Sequence, residues 1–307
     1  MKKTISKNIC FGYGCNNNCL HCIIGYGQRK QYRDLTTGEV KAKLDLLVCE
    51  GIGQVIFIGG EVAIRNDFFE LLEYAKDKGL KVHIETNGRV FCKEAYSKRF
   101  LEIMPEASMM ISFHSATPSI HDSITQVSGS FEQSVRGIRN LKKYGLKHLQ
   151  INCVVSKLNY FCLEENLRLF KGLGANEVHF TLMRVGGNAI DNLDRVFVPI
   201  REIRPHLIKA LELGKELGVK VLTYGFPYCV IPKHEQSVFE KNFLETFRLG
   251  ATYIFDEPTG ILDWQKERIS MKAKPKDCRR CKLFGICEGV WKEYLTKNLL
   301  EKELVPQ

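Results

Sequence analysis

Hydrophobic and polar positions along the chain follow two rhythms. Residues 9–12 and 54–58 are short apolar runs with the character of buried parallel strands, and 81–85, 108–112, 149–155 and 177–183 also read as strands. Between them, residues 36–49, 67–78, 93–104, 130–144 and 163–173 repeat apolar side chains at helical spacing. Thr36-Thr37-Gly38-Glu39 and Ser130-Phe131-Glu132-Gln133 read as capping boxes, each opening a helix. Gly79 falls at the C′ position that closes a helix, and Gly51 and Gly145 end two others. Strand–helix alternation at this spacing predicts an α/β fold with a parallel sheet and right-handed crossovers. No Gly-x-Gly-x-x-Gly turn follows the first strand, so a partial (β/α)6, TIM-like barrel fits better than a doubly wound sheet. A long helix is expected over 200–217 and a short strand over 220–223. Beyond them Pro227, Cys229, Pro232, Pro258 and Pro275 punctuate the chain. The expected division is therefore a barrel core over 1–199 and a small cysteine-rich extension over 200–307.

Composition narrows the class. With 307 residues, 44% hydrophobic and 26% charged, the chain can bury a substantial core and is not disordered as a whole. The N-terminus Met-Lys-Lys-Thr-Ile-Ser-Lys lacks the apolar run of a signal peptide, and no run is long enough to span a membrane. A cytoplasmic location and no membrane partner are expected. Twelve cysteines in a reducing compartment point to metal or redox chemistry rather than disulfides. The net charge of +10 would suit an acidic partner. The basic residues, however, are spread along most helices, densest at 272–282, and read as a solvated surface.

The chemistry concentrates at Cys15-Asn16-Asn17-Asn18-Cys19-Leu20-His21-Cys22, directly after the first apolar run. Iron–sulfur clusters are held by cysteine thiolates, normally four. Three thiols on one tight loop can hold three irons of a cubane and leave the fourth open, and an open position on a metal usually serves chemistry. A zinc site would want a fourth ligand. Cys10 could be offered, although it lies inside the probable strand. A disulfide plus a spare thiol would need an oxidising compartment.

The pattern Cys-x3-Cys-x-His-Cys resembles the radical S-adenosylmethionine (SAM) enzymes. The resemblance covers roughly residues 6 to 190. It implies that Cys15, Cys19 and Cys22 bind a four-iron four-sulfur (4Fe–4S) cluster whose open iron is chelated by SAM, which is cleaved to a 5′-deoxyadenosyl radical. It also implies that His21, just before the third cysteine, lies against the adenine. Gly59-Gly60-Glu61 follows the second strand and matches the run that binds the SAM amino group, with Val62 where the family usually has proline. Thr86-Asn87-Gly88 matches the family's turn after strand three, and an ordinary Asn-Gly turn would look the same. Ser112-Phe113-His114-Ser115 ends strand four, where the family faces SAM or substrate. There Ser112 is a cofactor contact, and His114 a proton donor, a polar contact or a satisfied structural histidine. Asn152 interrupts an apolar strand and would need a polar partner, for which the SAM ribose or carboxylate would serve. Arg184, beside a glycine turn after strand six, suits a carboxylate.

A second cluster of thiols, Cys278-x2-Cys281-x5-Cys287, lies near the C-terminus, with Cys229 the natural fourth ligand. On residues alone it is a four-thiolate zinc ribbon or an iron–sulfur site. The resemblance favours an auxiliary 4Fe–4S cluster of the SPASM or shorter twitch type. If Cys229 is a ligand the cluster is closed, and if not, an iron is open or Cys229 donates a hydrogen atom to a substrate radical. The other five cysteines, Cys10, Cys49, Cys92, Cys153 and Cys162, read as small buried hydrophobes.

The expected activity is radical SAM chemistry with an electron from a ferredoxin or flavodoxin, acting on a ribosomally made peptide by cross-linking or epimerisation. The chain begins close to the first strand, so a peptide substrate would call for a separate leader-peptide-binding protein. Two alternatives are small-molecule cofactor or nucleotide-derived precursor synthesis, and a non-catalytic zinc protein that binds nucleic acid. The three-thiol loop and the barrel pattern argue against the last, so nucleic acid is not an expected partner.

Overall fold

The computed structural model describes residues 6–242, 254–257, 260–300 and 304. Seven strands lie side by side in chain order and all run parallel: β1 (Ser6–Cys10), β2 (Gln54–Ile58), β3 (Lys81–Thr86), β4 (Ser108–Ser112), β5 (His148–Val155), β6 (Glu177–Leu182) and β7 (Lys220–Tyr224). A doubly wound sheet would reverse its strand order at a switch point. Here the order never reverses, and the expected TIM-like winding is borne out. The free edge of β1 takes β8 (Ile254–Glu257) in parallel, and β9 (Gly260–Asp263) pairs antiparallel with β8. Among the described residues the sheet runs from β7 to β9 without those two strands pairing, so the barrel is open there.

Alternation along each strand sorts side chains between two faces. On β5, Leu149, Ile151, Cys153 and Val155 are buried, while Gln150, Asn152 and Val154 are half-buried on the opposite, concave face. The buried set packs against α2 (Thr37–Cys49), α3 (Phe68–Asp77), α4 (Glu94–Ile103), α6 (Ser130–Lys143), α7 (Leu163–Gly172) and α10 (Ile200–Leu217) in one continuous core. The helices end as the pattern predicts. Gly79 takes φ 73° after α3, and Leu80 N donates to Ala75 O at 3.0 Å, a Schellman closure that hands the chain to β3.

The capping boxes divide. Thr36 caps α2, its hydroxyl accepting from Glu39 N at 3.3 Å while Glu39 Oε2 accepts from Thr36 N at 2.8 Å. The second box does not form. The N-cap of α6 is Gly129, at φ 76°, and the capping group is Asp122 of α5 (Pro118–Thr125), a helix the pattern did not predict. The Asp122 carboxylate accepts from Gly129 N at 2.7 Å, Ser130 Oγ at 2.8 Å and Phe131 N at 2.8 Å. An anion with several acceptor sites outcompetes a hydroxyl at a helix N-terminus.

The expected boundary near residue 200 falls at the start of α10, and β7 after it extends the same sheet. Pro258 lies outside the described residues. The basic stretch at 272–282 is not all surface: Lys272 is buried, with Nζ 3.8 Å from the Trp291 ring centre and 3.4 Å from Glu240 Oε1. All twelve cysteines are free thiols. Cys10, Cys153 and Cys162 are buried as expected, but Cys49 is exposed at the end of α2, so burial does not account for it. No helix among the described residues is long and apolar enough to cross a membrane.

Candidate functional site

The three-cysteine loop leaves β1 at the carboxyl end of the sheet. It is fastened first by backbone: Phe11 N donates to Ile58 O at 3.1 Å, Gly60 N to Gly12 O at 2.9 Å and Glu61 N to Gly14 O at 2.7 Å. A Cβ on Gly60 would sit 2.2 Å from Gly14 O, so only glycine admits this approach. From the other side Asn18 N and Leu20 N donate to Thr125 O and Ile124 O, carbonyls at the end of α5. Cys15, Cys19 and Cys22 are half-buried and close enough to influence one another. Burial raises the Cys19 thiol most, and the neighbouring Cys22 and Cys15 raise it further. Cys15 is raised by burial too, while Arg29 acts in the opposite sense on both. A protein that crowds thiols this way favours their protons until a cation replaces them.

The three asparagines between Cys15 and Cys19 are not spacers. Asn16 Oδ1 accepts from Asn87 Nδ2 at 2.7 Å, Asn17 Oδ1 from Arg89 Nη1 at 2.6 Å, and Asn18 Oδ1 from Asn188 Nδ2 at 3.0 Å. Asn87 and Arg89 follow β3, and Asn188 opens the short helix α8 (Asn188–Asp191) after β6. Asn188 also donates to Cys19 O at 3.0 Å and accepts from Tyr26 N at 3.1 Å. After Cys22 the chain enters α1 (Tyr26–Gln31), from which Arg29 reaches back to Asn17 O at 2.8 Å and Cys22 Sγ at 3.4 Å. Arg29, Arg89 and Asn188 were not singled out from sequence, because their partners lie in other segments.

Glu61 is buried, and its carboxylate is engaged by the chain itself. Its Oε1 accepts from Thr86 Oγ1 at 2.6 Å and Ala63 N at 3.0 Å, and its Oε2 from Asn87 N at 2.6 Å. Burial still raises its pKa, against those three donors. Glu61 thus holds the Thr86-Asn87-Gly88 turn, and Asn87 in turn holds Asn16.

His21 and His114 meet edge to face, ring centres 4.6 Å apart. Both are buried, and each Nδ1 lacks a hydrogen-bond partner among the described residues. Burial lowers His21 to about 4, and lowers His114 far below its ordinary value, so both rings are neutral at pH 7. His114 is fixed through its backbone: its N–H donates to His121 Nδ1 at 3.2 Å and its carbonyl accepts from Asn159 Nδ2 at 2.7 Å. One ligand atom each from Cys19, His21 and His114 lies within 4.8 Å of the others.

The remaining expected residues are dispersed. Ser112 ends β4, half-buried, in register with Asn152 of β5. Asn152 has a protein partner, since Thr181 Oγ1 donates to its Oδ1 at 2.6 Å. Arg184 faces the C-terminal region, Nε 3.6 Å from Glu293 Oε1 and its guanidinium 5.6 Å from the Trp291 ring centre. Glu85, not singled out from sequence, stands exposed on β3, on the face opposite buried Ile84, and makes no hydrogen bond among the described residues. Its side chain reaches open space on the face of the sheet away from the helices, but the protein packed round that space desolvates the carboxyl and pushes it up to about 7.

A second group of thiols gathers beyond β7. Burial raises the Cys229 thiol to about 11, with further raises from Cys287, Cys278 and Cys281 in that order, so the four side chains converge. Gly289 N donates to Cys287 Sγ at 3.4 Å, and Cys281 N to Cys278 O at 2.9 Å. Beside Cys287, Glu288 Oε1 pairs with Nη2 of fully buried Arg268 at 2.6 Å.

A family model described as the radical SAM superfamily matches residues 9–170. The chain belongs to this superfamily. The radical SAM fold binds SAM and a 4Fe–4S cluster. An AdoMet-dependent heme synthase of Methanosarcina barkeri is 34% identical over 174 residues, 56% of this chain and 49% of that protein. The mycofactocin maturase MftC of Mycolicibacterium smegmatis is 32% identical over 182 residues, 59% of this chain and 45% of that protein. The matches thus span about half the length of these radical SAM relatives. Among solved structures, Streptococcus suis SuiB bound to precursor peptide SuiA aligns with a TM-score of 0.69 at 16% identity, covering 100% of this chain and 76% of that one. That likeness extends the shared fold through the cysteine-rich C-terminal region.

Proposed function

We propose that this radical SAM enzyme binds a 4Fe–4S cluster through Cys15, Cys19 and Cys22, SAM beside it, and an auxiliary 4Fe–4S cluster through Cys229, Cys278, Cys281 and Cys287. The observation that carries the reading is the convergence of three, not four, cysteine thiols on a loop fastened at the carboxyl ends of the strands. Two buried, neutral imidazole nitrogens, Nδ1 of His21 and of His114, have no hydrogen-bond partner among the described residues, which supports a polar ligand beside them. When bound, cluster and SAM supply a one-electron reductive cleavage that yields a radical able to take hydrogen from a substrate.

The chain's own residues supply position. Gly59 and Gly60 let the backbone approach without side chains, and Glu61, Asn87 and Arg89 keep the loop in register with the sheet. His21 offers a neutral ring face for the adenine, and Ser112 and Asn152 line the concave face where the rest of the cofactor would lie. Arg184, engaged with Glu293, acts through the C-terminal region. The auxiliary site, closed by Cys229, would relay electrons or hold that region together.

The substrate reading is a ribosomally made peptide, supported by the maturase relative and by a barrel open along one side. The heme synthase relative favours a second reading, a small molecule of the tetrapyrrole class. The test is anaerobic turnover with SAM and a one-electron donor such as flavodoxin, offered either a small peptide encoded beside the gene or an iron porphyrin. A mass change in the peptide alone supports the first reading. A change in the porphyrin alone supports the second.

A further inference from the structure

The residues between Cys15 and Cys19 are neutral, Asn16-Asn17-Asn18, and the cation that reaches the Cys22 sulfur comes from a different element. Helix α1 buries none of its side chains, yet it returns Arg29 to the loop it has just left. One guanidinium nitrogen lies 2.8 Å from Asn17 O and another 3.4 Å from Cys22 Sγ. Arg29 is half-buried and makes no ion pair with a carboxylate among the described residues, so its charge is directed at the thiols. Its field reaches Cys15 and Cys19 as well, where it acts against the effect of burial.

We infer that Arg29 sets the reduction potential of the cluster at Cys15, Cys19 and Cys22, by donating a hydrogen bond to the Cys22 sulfur and placing a fixed positive charge beside it. This rests on the cluster assignment proposed above. Hydrogen bonds to sulfur and net charge are among the terms that set iron–sulfur potentials. Adding an electron makes the cluster one unit more negative, and a neighbouring cation stabilises that form more than the oxidised one. Arg29 therefore raises the potential and eases reduction by an external one-electron donor. Arginine suits the task because its planar fork holds the loop carbonyl and the sulfur at once, which a lysine cannot do with the same geometry. It is a positioning and tuning residue, since both of its contacts are to the cysteine loop itself, the Asn17 carbonyl and the Cys22 sulfur.

The test is an anaerobic potentiometric titration of reconstituted protein, following the electron paramagnetic resonance signal that added SAM perturbs, which isolates this cluster from the auxiliary one. Arg29→Gln should lower the reduction equilibrium constant by about tenfold or more, about 59 mV for a one-electron couple. Arg29→Lys, which keeps the cation and loses the fork, should fall by less. Lys30→Gln removes a neighbouring surface cation and should leave the potential unchanged. An Arg29→Gln protein with full iron content and the wild-type potential would overturn the inference, as would an equal fall in Lys30→Gln. If Arg29→Gln does not retain iron, Arg29→Lys decides, and a wild-type potential there overturns it. Wild-type protein with no SAM-sensitive iron signal would instead sink the cluster assignment itself.

Discussion

Asn188 Nδ2 stands 3.0 Å from Asn18 Oδ1, joining residues 170 apart in the chain. The bond ties the cysteine loop after β1 to the loop after β6, so the site is set by the curvature of the whole sheet and not by the motif alone. Asn188 also serves Cys19 O and Tyr26 N, three bonds from one buried side chain. Asn188→Ala should strand those groups and lower stability by about 1–3 kcal/mol. It should also speed iron loss from the N-terminal site. Thermal melting and iron retention under a chelator check both, and a variant that keeps iron as long as the wild type would show the tether to be dispensable.

Glu61→Gln tests the clamp behind the loop. Two donors share Oε1 of Glu61 and a third, Asn87 N, uses Oε2. An amide NH₂ in the Oε2 position would meet the Asn87 N–H donor to donor. The variant should lose about 1–3 kcal/mol and bind SAM more weakly through displacement of the 86–88 turn. Chemical denaturation and SAM titration measure the two effects.

Much of the barrel was legible because short strand-like segments alternate with helical ones and the helices carry local stop signals such as Gly79. The three-cysteine loop was legible as a local motif. What holds that loop was not. The side-chain partners of Asn16, Asn17 and Asn18 come from the segments after β3 and β6, and no local pattern announces a contact made by tertiary packing. Helix α5 was missed although Pro118 stands at its first turn, where proline is favoured. It supplies both the α6 cap and two carbonyls to the cysteine loop. Arg184 was read beside its glycine turn, but its nearest acid, Glu293, lies more than a hundred residues onward.

Glu85 predicts a pH dependence. Its carboxyl is pushed up to about 7, above an ordinary 4.5. A folded-state pKa above the unfolded one means that stability from this group is fully present below 4.5 and is lost as pH rises through 7. Glu85→Gln cannot ionise, so it should gain on the wild type steadily between pH 4.5 and 7 and hold the difference above. Melting temperatures of both proteins at pH 5, 6, 7 and 8 check the sign. A constant difference would mean that the carboxylate ionises as it does in water.

Arg268 tests the frame of the second thiol site. Its fully buried guanidinium is paired with Glu288, next to Cys287. Removing one partner of a buried ion pair leaves the other charge unmatched, at about 3–5 kcal/mol. Arg268→Ala should therefore destabilise the protein strongly and lower its iron content toward about four per chain, from about eight with both four-iron clusters filled. Iron and sulfide analysis beside melting curves reads this out, and unchanged iron would show that the cysteines need no such frame.

The central claim is that Cys15, Cys19 and Cys22 carry the cluster at which SAM is cleaved. The most direct measurement is 5′-deoxyadenosine released from SAM by anaerobically reconstituted protein under dithionite, with and without Cys→Ala replacement at those three positions. The wild type should release it and the triple variant should not, while a variant lacking Cys278, Cys281 and Cys287 should still do so. Release undiminished in the triple variant, or a wild-type protein that holds zinc there in place of iron, would contradict the account.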